Sequence, residues 1–178
     1  MVLWYYSKHD YKFTFETATL AFFNKYPNPY ASHVLSVDVL DRRITDGKLH
    51  TTRLIKKEGK LPRFMKPFLG KMSMSSWIVE KTIVDPHTKE MVTYQSNLDH
   101  KKFIRVEEYT TFKSNPDNST TTVAFSVKFS SNFAGFGIKN KIESWSHNKF
   151  KENIKNTKLG MAYVMEECQR RTHEQLKC

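Results

Sequence analysis

The stretch from Arg53 to Lys71 carries seven Lys and Arg against one acid, Glu58, and sets Leu61, Phe64, Met65, Phe68 and Leu69 around two prolines, Pro62 and Pro67. Apolar side chains interleaved with cations suit a surface that dips into a membrane interface while its lysines and arginines reach back to the headgroups. Beyond Gly59 the segment cannot continue as a strand, and so long a connection is uncommon unless it serves as a lid or binding loop. The competing reading is a loop whose Phe and Leu pack on the core while its lysines stay in water. The unbroken charge bias favours the membrane contact.

Enzymatic chemistry finds little support. The chain has no Gly-x-Ser-x-Gly, His-Glu-x-x-His, P-loop or Gly-x-Gly-x-x-Gly. Its seven histidines stand singly, and Glu107 and Glu108, adjacent on a strand, must point to opposite faces rather than form a carboxylate pair. Cys168 and Cys178 lie near the C-terminus outside any metal-ligand spacing, so neither a zinc site nor a disulfide framework is expected. No catalytic residue, metal or cofactor is predicted.

A net charge of +11, from 29 Lys and Arg against 18 Asp and Glu, should attract anions: nucleic acid, acidic proteins or anionic lipid. Nucleic acid is disfavoured because the aromatics follow core periodicity and no known binding module is present. The 178 residues, 39% hydrophobic, suffice for one domain with a substantial core. The N-terminus has neither a signal-peptide pattern nor an arginine-rich amphipathic start, and no window approaches the ~20 apolar residues of a membrane span.

The elements that must position these groups begin with a strand over Val2 to Lys12 and a helix capped by Thr14 that carries Phe15, Ala18, Phe22, Phe23 and Tyr26 on one side. Pro27 and Pro29 end that helix. A second strand starts at His33, which falls at the start of an inward row with Leu35, Val37 and Val39. After the Asp46-Gly47 turn, a strand from Lys48 to Lys57 carries cations on both faces, and neither face is clearly the core side. Further strands are expected at Ser75 to Val84, Met91 to Leu98, Lys102 to Lys113 and Thr120 to Phe129. The seven strands form an antiparallel meander.

One long helix, from Phe136 to about Arg171, is the only element large enough to cover the apolar face of such a sheet. Its apolar positions fall in two stripes, Ile138, Ile142 and Trp145, then Phe150, Ile154, Met161, Val164, Met165 and Cys168. Where the first stripe should continue stand Lys149, Asn153, Asn156 and Gly160. Periodicity alone reads these as solvated, the helix turning its other face inward after Trp145.

Eight ordered segments carry a resemblance: Asn24-Lys-Tyr-Pro-Asn-Pro-Tyr30, His33-Val-Leu-Ser36, Thr51-Thr-Arg-Leu54, Lys60-Leu-Pro62, Lys66-Pro-Phe-Leu69, Asn97-Leu-Asp-His100, Val106-Glu-Glu-Tyr-Thr110 and Lys128-Phe-Ser-Ser131. Together they resemble the PRELI/SLMO family, and within it the fungal Ups-type branch that moves phosphatidic acid between mitochondrial membranes. The resemblance runs from Met1 to about Met165.

It implies an α+β, START-like lipid-transfer fold, in which a curved sheet of about seven antiparallel strands and the long C-terminal helix enclose a pocket closed by a short lid. Residues 1–172 would form one PRELI/MSF-type domain and 173–178 a tail. The resemblance also implies a non-enzymatic carrier of phosphatidic acid in the intermembrane space, peripheral on the inner membrane and supporting cardiolipin synthesis. The alternatives are phosphatidylserine transfer by the same fold, or a basic membrane adaptor that extracts nothing.

By the same analogy Lys25, His33, Arg53, Lys57, Lys60, Lys149 and Asn153 surround the phosphate or line its path, which turns Lys149 and Asn153 inward. Lys25 stands where relatives often carry arginine; the charge is kept and the bidentate fork lost. Leu61, Pro62, Phe64, Met65, Lys66, Phe68 and Leu69 would be the lid that meets the anionic mitochondrial membrane. A small twin Cys-x9-Cys protein is the implied partner in a heterodimer.

Overall fold

The computed structural model describes residues 1–58, 75–99, 101, 104–131 and 138–175. The lid residues from Leu61 to Leu69, together with Lys60 and Cys178, lie outside that set.

Seven strands form one antiparallel sheet. They are β1 (Val2–Tyr11), β2 (Val34–Thr45), β3 (Lys48–Glu58), β4 (Ser75–Asp85), β5 (Glu90–Asn97), β6 (Arg105–Ser114) and β7 (Thr121–Ser130), in the spatial order β1-β7-β6-β5-β4-β3-β2. From β2 onward the chain is a meander, and β7 returns to pair with β1. The first two strands therefore hold opposite edges. Between them run α1 (Phe15–Phe23) and a 3-10 turn (Pro29–Ala31). The expected meander is present.

Local chemistry sets the junctions. The Thr14 hydroxyl accepts from the Thr17 amide and caps α1, while Asp46 and Gly47, both at positive φ, form the tight turn between β2 and β3. Strand β2 departs from the simple alternation expected from His33. Register shifts fall between Val34 and Ser36 and between Val39 and Asp41, and the first leaves Leu35 in the irregularity and 53% exposed.

Strand β3, ambiguous by pattern, is decided by burial: Thr51, Arg53 and Ile55 are buried, with Leu49 and Lys57 half-buried in the same row. The sheet face that includes a buried arginine is thus the inner one.

The second helix, α2, spans Ile138–Gln175 and continues past the Arg171 end read from periodicity. It does not cover the inner face alone, contrary to expectation. Phe15, Ala18, Ala21 and Phe22 of α1 are buried with Tyr11, Val84, Met91, Phe112, Val123 and Phe125 of the sheet and with Met161, Val164 and Met165 of α2.

A second cluster gathers Ile104, Val127, Phe129 and Ile142, with Leu3, Tyr5, Trp145 and Phe150 against it. The Tyr5 and Phe150 rings stack at 5.2 Å, so Phe150 packs with the first stripe of the helix rather than with the second. The stripes fail to align because α2 serves two separate cores.

Candidate functional site

Strand register lines up a polar row across the inner face of the sheet. Arg53 is opposite Glu80, Glu80 opposite Gln95, and Gln95 opposite Glu108. A parallel row holds Thr51, Thr82, Thr93 and Thr110, all buried. Such polar rows on a face that is otherwise core demand internal partners, since burial strips their water.

For the charged row the partners converge on Glu80, 1% exposed. Its Oε1 accepts from Arg53 Nε at 2.6 Å; its Oε2 accepts from Lys25 Nζ at 2.8 Å and from Gln95 Nε2 at 2.8 Å. Arg53 also donates through Nη1 to the Phe23 carbonyl at 3.0 Å, which fastens the end of α1 to the sheet. The Lys25 ammonium stands 3.9 Å from the centre of the Phe22 ring. Burial by itself would raise the Glu80 carboxyl, but Lys25 and Arg53 outweigh it and hold the group below its ordinary range. Two buried cations share one buried carboxylate.

Lys25 is delivered by the turn that follows α1. The Asn28 side chain accepts from the Tyr30 amide and donates to the Lys25 carbonyl, which holds that turn in place. Gly160 of α2 lies against it, with a Cβ there falling 3.0 Å from Asn28 Oδ1. The close approach of helix and turn explains why glycine interrupts the α2 stripe.

Of the other predicted site residues, His33 and Lys57 meet where β2 starts and β3 ends, the Glu58 amide donating to the His33 carbonyl at 2.8 Å. Lys57 is half-buried; desolvation works against its charge, but Tyr26, Glu108 and Glu80 outweigh it and raise its pKa. His33 is exposed, and its imidazole pKa is lowered, first by desolvation and then by Lys57 and Lys149, with Glu152 acting the other way. Lys149 is half-buried and donates to Glu152 at 3.1 Å; Asn153 is exposed.

Lys25, Arg53, Lys57, His33 and Lys149 thus belong to one region, while Lys60 lies outside the described residues. Glu107 and Glu108 divide between the faces as expected: Glu108 joins the inner row, and Glu107 accepts from Tyr94 and Arg105, at 2.9 Å each, on the outer one.

Sequence reasoning missed Glu80, Gln95 and Tyr26. Glu80 had a legible signal, since it shares a strand face with Ile78, Thr82 and Val84, where a lone carboxylate needs a cation. Which cation only the register of β3 and β4 decides.

Residues 16–171 match the model of the PRELI-like family. The chain is 47% identical to "Protein UPS1, mitochondrial" of Saccharomyces cerevisiae over 93% of this chain and 94% of that protein. The chain belongs to the PRELI-like family. This PRELI-like chain is also 35% identical to the ups1 homolog of Schizosaccharomyces pombe, over 90% of the chain and 93% of its relative. It is 35% identical to the chicken mitochondrial PRELI domain-containing protein 1, over 82% of the chain and 68% of that protein.

Among solved structures, TTHA0849 of Thermus thermophilus superposes with a TM-score of 0.61 at 14% identity, covering 93% of this chain and 98% of the other. A protein of unknown function from Staphylococcus aureus, SA2116, does so at 0.60 and 11%, covering 96% and 97%. At such identities the likeness concerns the fold alone. PRELI-like membership and these neighbours agree on a START-like α+β architecture, a curved antiparallel sheet with a short helix and a long C-terminal helix.

Proposed function

We propose that this chain is a non-enzymatic mitochondrial lipid-transfer protein that carries phosphatidic acid from the outer to the inner membrane through the intermembrane space, in support of cardiolipin synthesis. The observation that carries the reading is the excess of cations at the inner face: Lys25, Arg53 and Lys57 against Glu80 and Glu108, with His33 and Lys149 beside them. Family membership and the mitochondrial relatives support the compartment.

Energetics make an enclosed carrier necessary. Two acyl chains in water expose about thirty methylenes, on the order of 20 kcal/mol, so the lipid cannot cross an aqueous space unless apolar surface covers it. In this reading the inner face of the sheet and the two helices would supply that surface. A phosphomonoester is small and carries up to two charges, so a group of lysines matches it without further volume, while a bulkier headgroup leaves the lysines crowded or poorly paired.

In this reading Lys25, Lys57 and Lys149 neutralise the phosphate, His33 and Asn153 lie on its path with Lys60, and Arg53 supports Lys25 from below. The segment from Leu61 to Leu69 would be the lid that meets anionic membrane, its cations at the headgroups. A small twin Cys-x9-Cys protein would be the heterodimer partner.

The test is transfer of fluorescent phosphatidic acid and phosphatidylserine between two vesicle populations. Selective movement of phosphatidic acid is expected, and Lys57→Glu or Lys149→Glu should cut it by about tenfold or more while the protein stays folded. Movement of phosphatidylserine alone would keep the carrier and refute the headgroup argument. Folded protein that binds vesicles yet moves neither lipid would be an adaptor.

A further inference from the structure

Arg53 and Lys25 share the Glu80 carboxylate, but they are not equivalent. Arg53 spends Nε on Glu80 Oε1, Nη1 on the Phe23 carbonyl and Nη2 on the Phe22 carbonyl at 3.5 Å, with Glu80 Oε1 also beside Nη2. Its fork is committed to holding α1 on the sheet. Lys25 Nζ makes one hydrogen bond among the described residues, to Glu80 Oε2, although an ammonium carries three donors. Its side chain is 10% exposed. Lys25 is therefore the cation of the pair with capacity left for another acceptor.

A carrier must release its cargo as well as bind it. Were Lys25 and Arg53 buried without an anion of their own, the departure of a phosphate would strand two desolvated charges, and the protein would favour keeping the lipid. Glu80 changes that balance. Gln95 Nε2 and Arg53 Nε both donate to it, which holds its carboxylate where Lys25 Nζ reaches it at 2.8 Å.

We propose that Glu80 is a resident counter-anion that governs cargo release: it shares Lys25 with the lipid phosphate and takes the ammonium back as the phosphate leaves. The inference rests on phosphatidic acid as the cargo and adds to that reading a positioning residue that acts through Lys25. It also reassigns Arg53, which orients Glu80 and the end of α1 rather than touching the headgroup.

The discriminating variant is Glu80→Gln, which keeps the shape and one oxygen for Arg53 but removes the charge. Two quantities are read on the purified protein: phosphatidic acid retained per protein after separation from phosphatidylcholine vesicles containing phosphatidic acid, and the rate of transfer to acceptor vesicles. A release device predicts that they separate. Retained lipid should equal or exceed that of the wild type, and release should slow on the order of tenfold, since affinity changes fall mostly on the off-rate.

Loss of retention and transfer in parallel, or no change in either, overturns the inference and leaves the proposed function standing. Should Glu80→Gln not fold, Glu80→Asp, which withdraws the carboxylate from Lys25 by one methylene, carries the same test with the same expected direction. Wild-type protein that moves no phosphatidic acid overturns the proposed function and, with its premise, this inference.

Discussion

Single residues divide into those whose charge is spoken for and those whose charge is available. Arg53 and Glu80 are the former, since each meets several partners within hydrogen-bond distance. Lys25 is the latter, its ammonium making one hydrogen bond among the described residues, and His33 is neither. Desolvation, Lys57 and Lys149 lower its pKa, so the native protein keeps it neutral where the unfolded chain, with an imidazole near 6.5, already takes up a proton. Such a group contributes its stability in full above the unfolded pKa and loses it as pH falls through that value toward the native one. His9, lowered by burial and by Lys158, acts in the same sense. His33→Asn should therefore flatten the decline of the urea midpoint between about pH 7.5 and 5.5 relative to wild type. A decline as steep as the wild type's would assign the effect to His9.

At the scale of elements, the decisive contact is that of α2 with the turn after α1. Gly160 is buried, and the Asn28 side chain it faces is tied to the Lys25 carbonyl and the Tyr30 amide, so it has little freedom to retreat. Gly160→Ala would gain up to about 1 kcal/mol of helix propensity and lose more by overpacking, for a net destabilisation of about 1 kcal/mol in urea denaturation. Because Asn28 also positions Lys25, phosphatidic acid transfer should fall with it. A stabilised variant with unchanged transfer would show that the turn yields. The same contact explains why α1, nine residues long, matters beyond its size: Arg53 and Asn28 connect its end to the sheet and to α2.

For the whole molecule, the net charge of +11 and the buried charges respond differently to salt. Exposed charges are screened beyond roughly 8 Å at physiological ionic strength, whereas buried pairs are screened much less. Raising sodium chloride from about 0.05 to 0.5 M should thus weaken co-sedimentation with anionic vesicles several-fold, yet leave lipid already held by the protein in place. Equal loss of both would mean that the lipid is held at the surface.

Much of this architecture was legible in the chain itself. Alternation and turn signals marked seven strands, Thr14 announced the start of α1, Asp46-Gly47 announced its hairpin, and the two stripes of α2 were visible as stripes, whereas α1 ends at Phe23, capped by Asn24, short of the prolines and without Tyr26. These signals are local, set by side-chain period, turn chemistry and capping, and they need no knowledge of what lies across the fold. The ordered segments from Asn24 to Ser131 also pointed to the family that the whole-chain match establishes. What lay beyond reach was pairing at a distance. Strand β3 had two polar faces, and only its register against β4 set Arg53 on Glu80; Leu35 looked inward until a register shift in β2 turned it out; the stripes of α2 looked misaligned until two cores received them. A buried charge is stable only beside its partner, and residues 25, 53, 80 and 95 come together only when the turn after α1 meets three strands of the folded sheet.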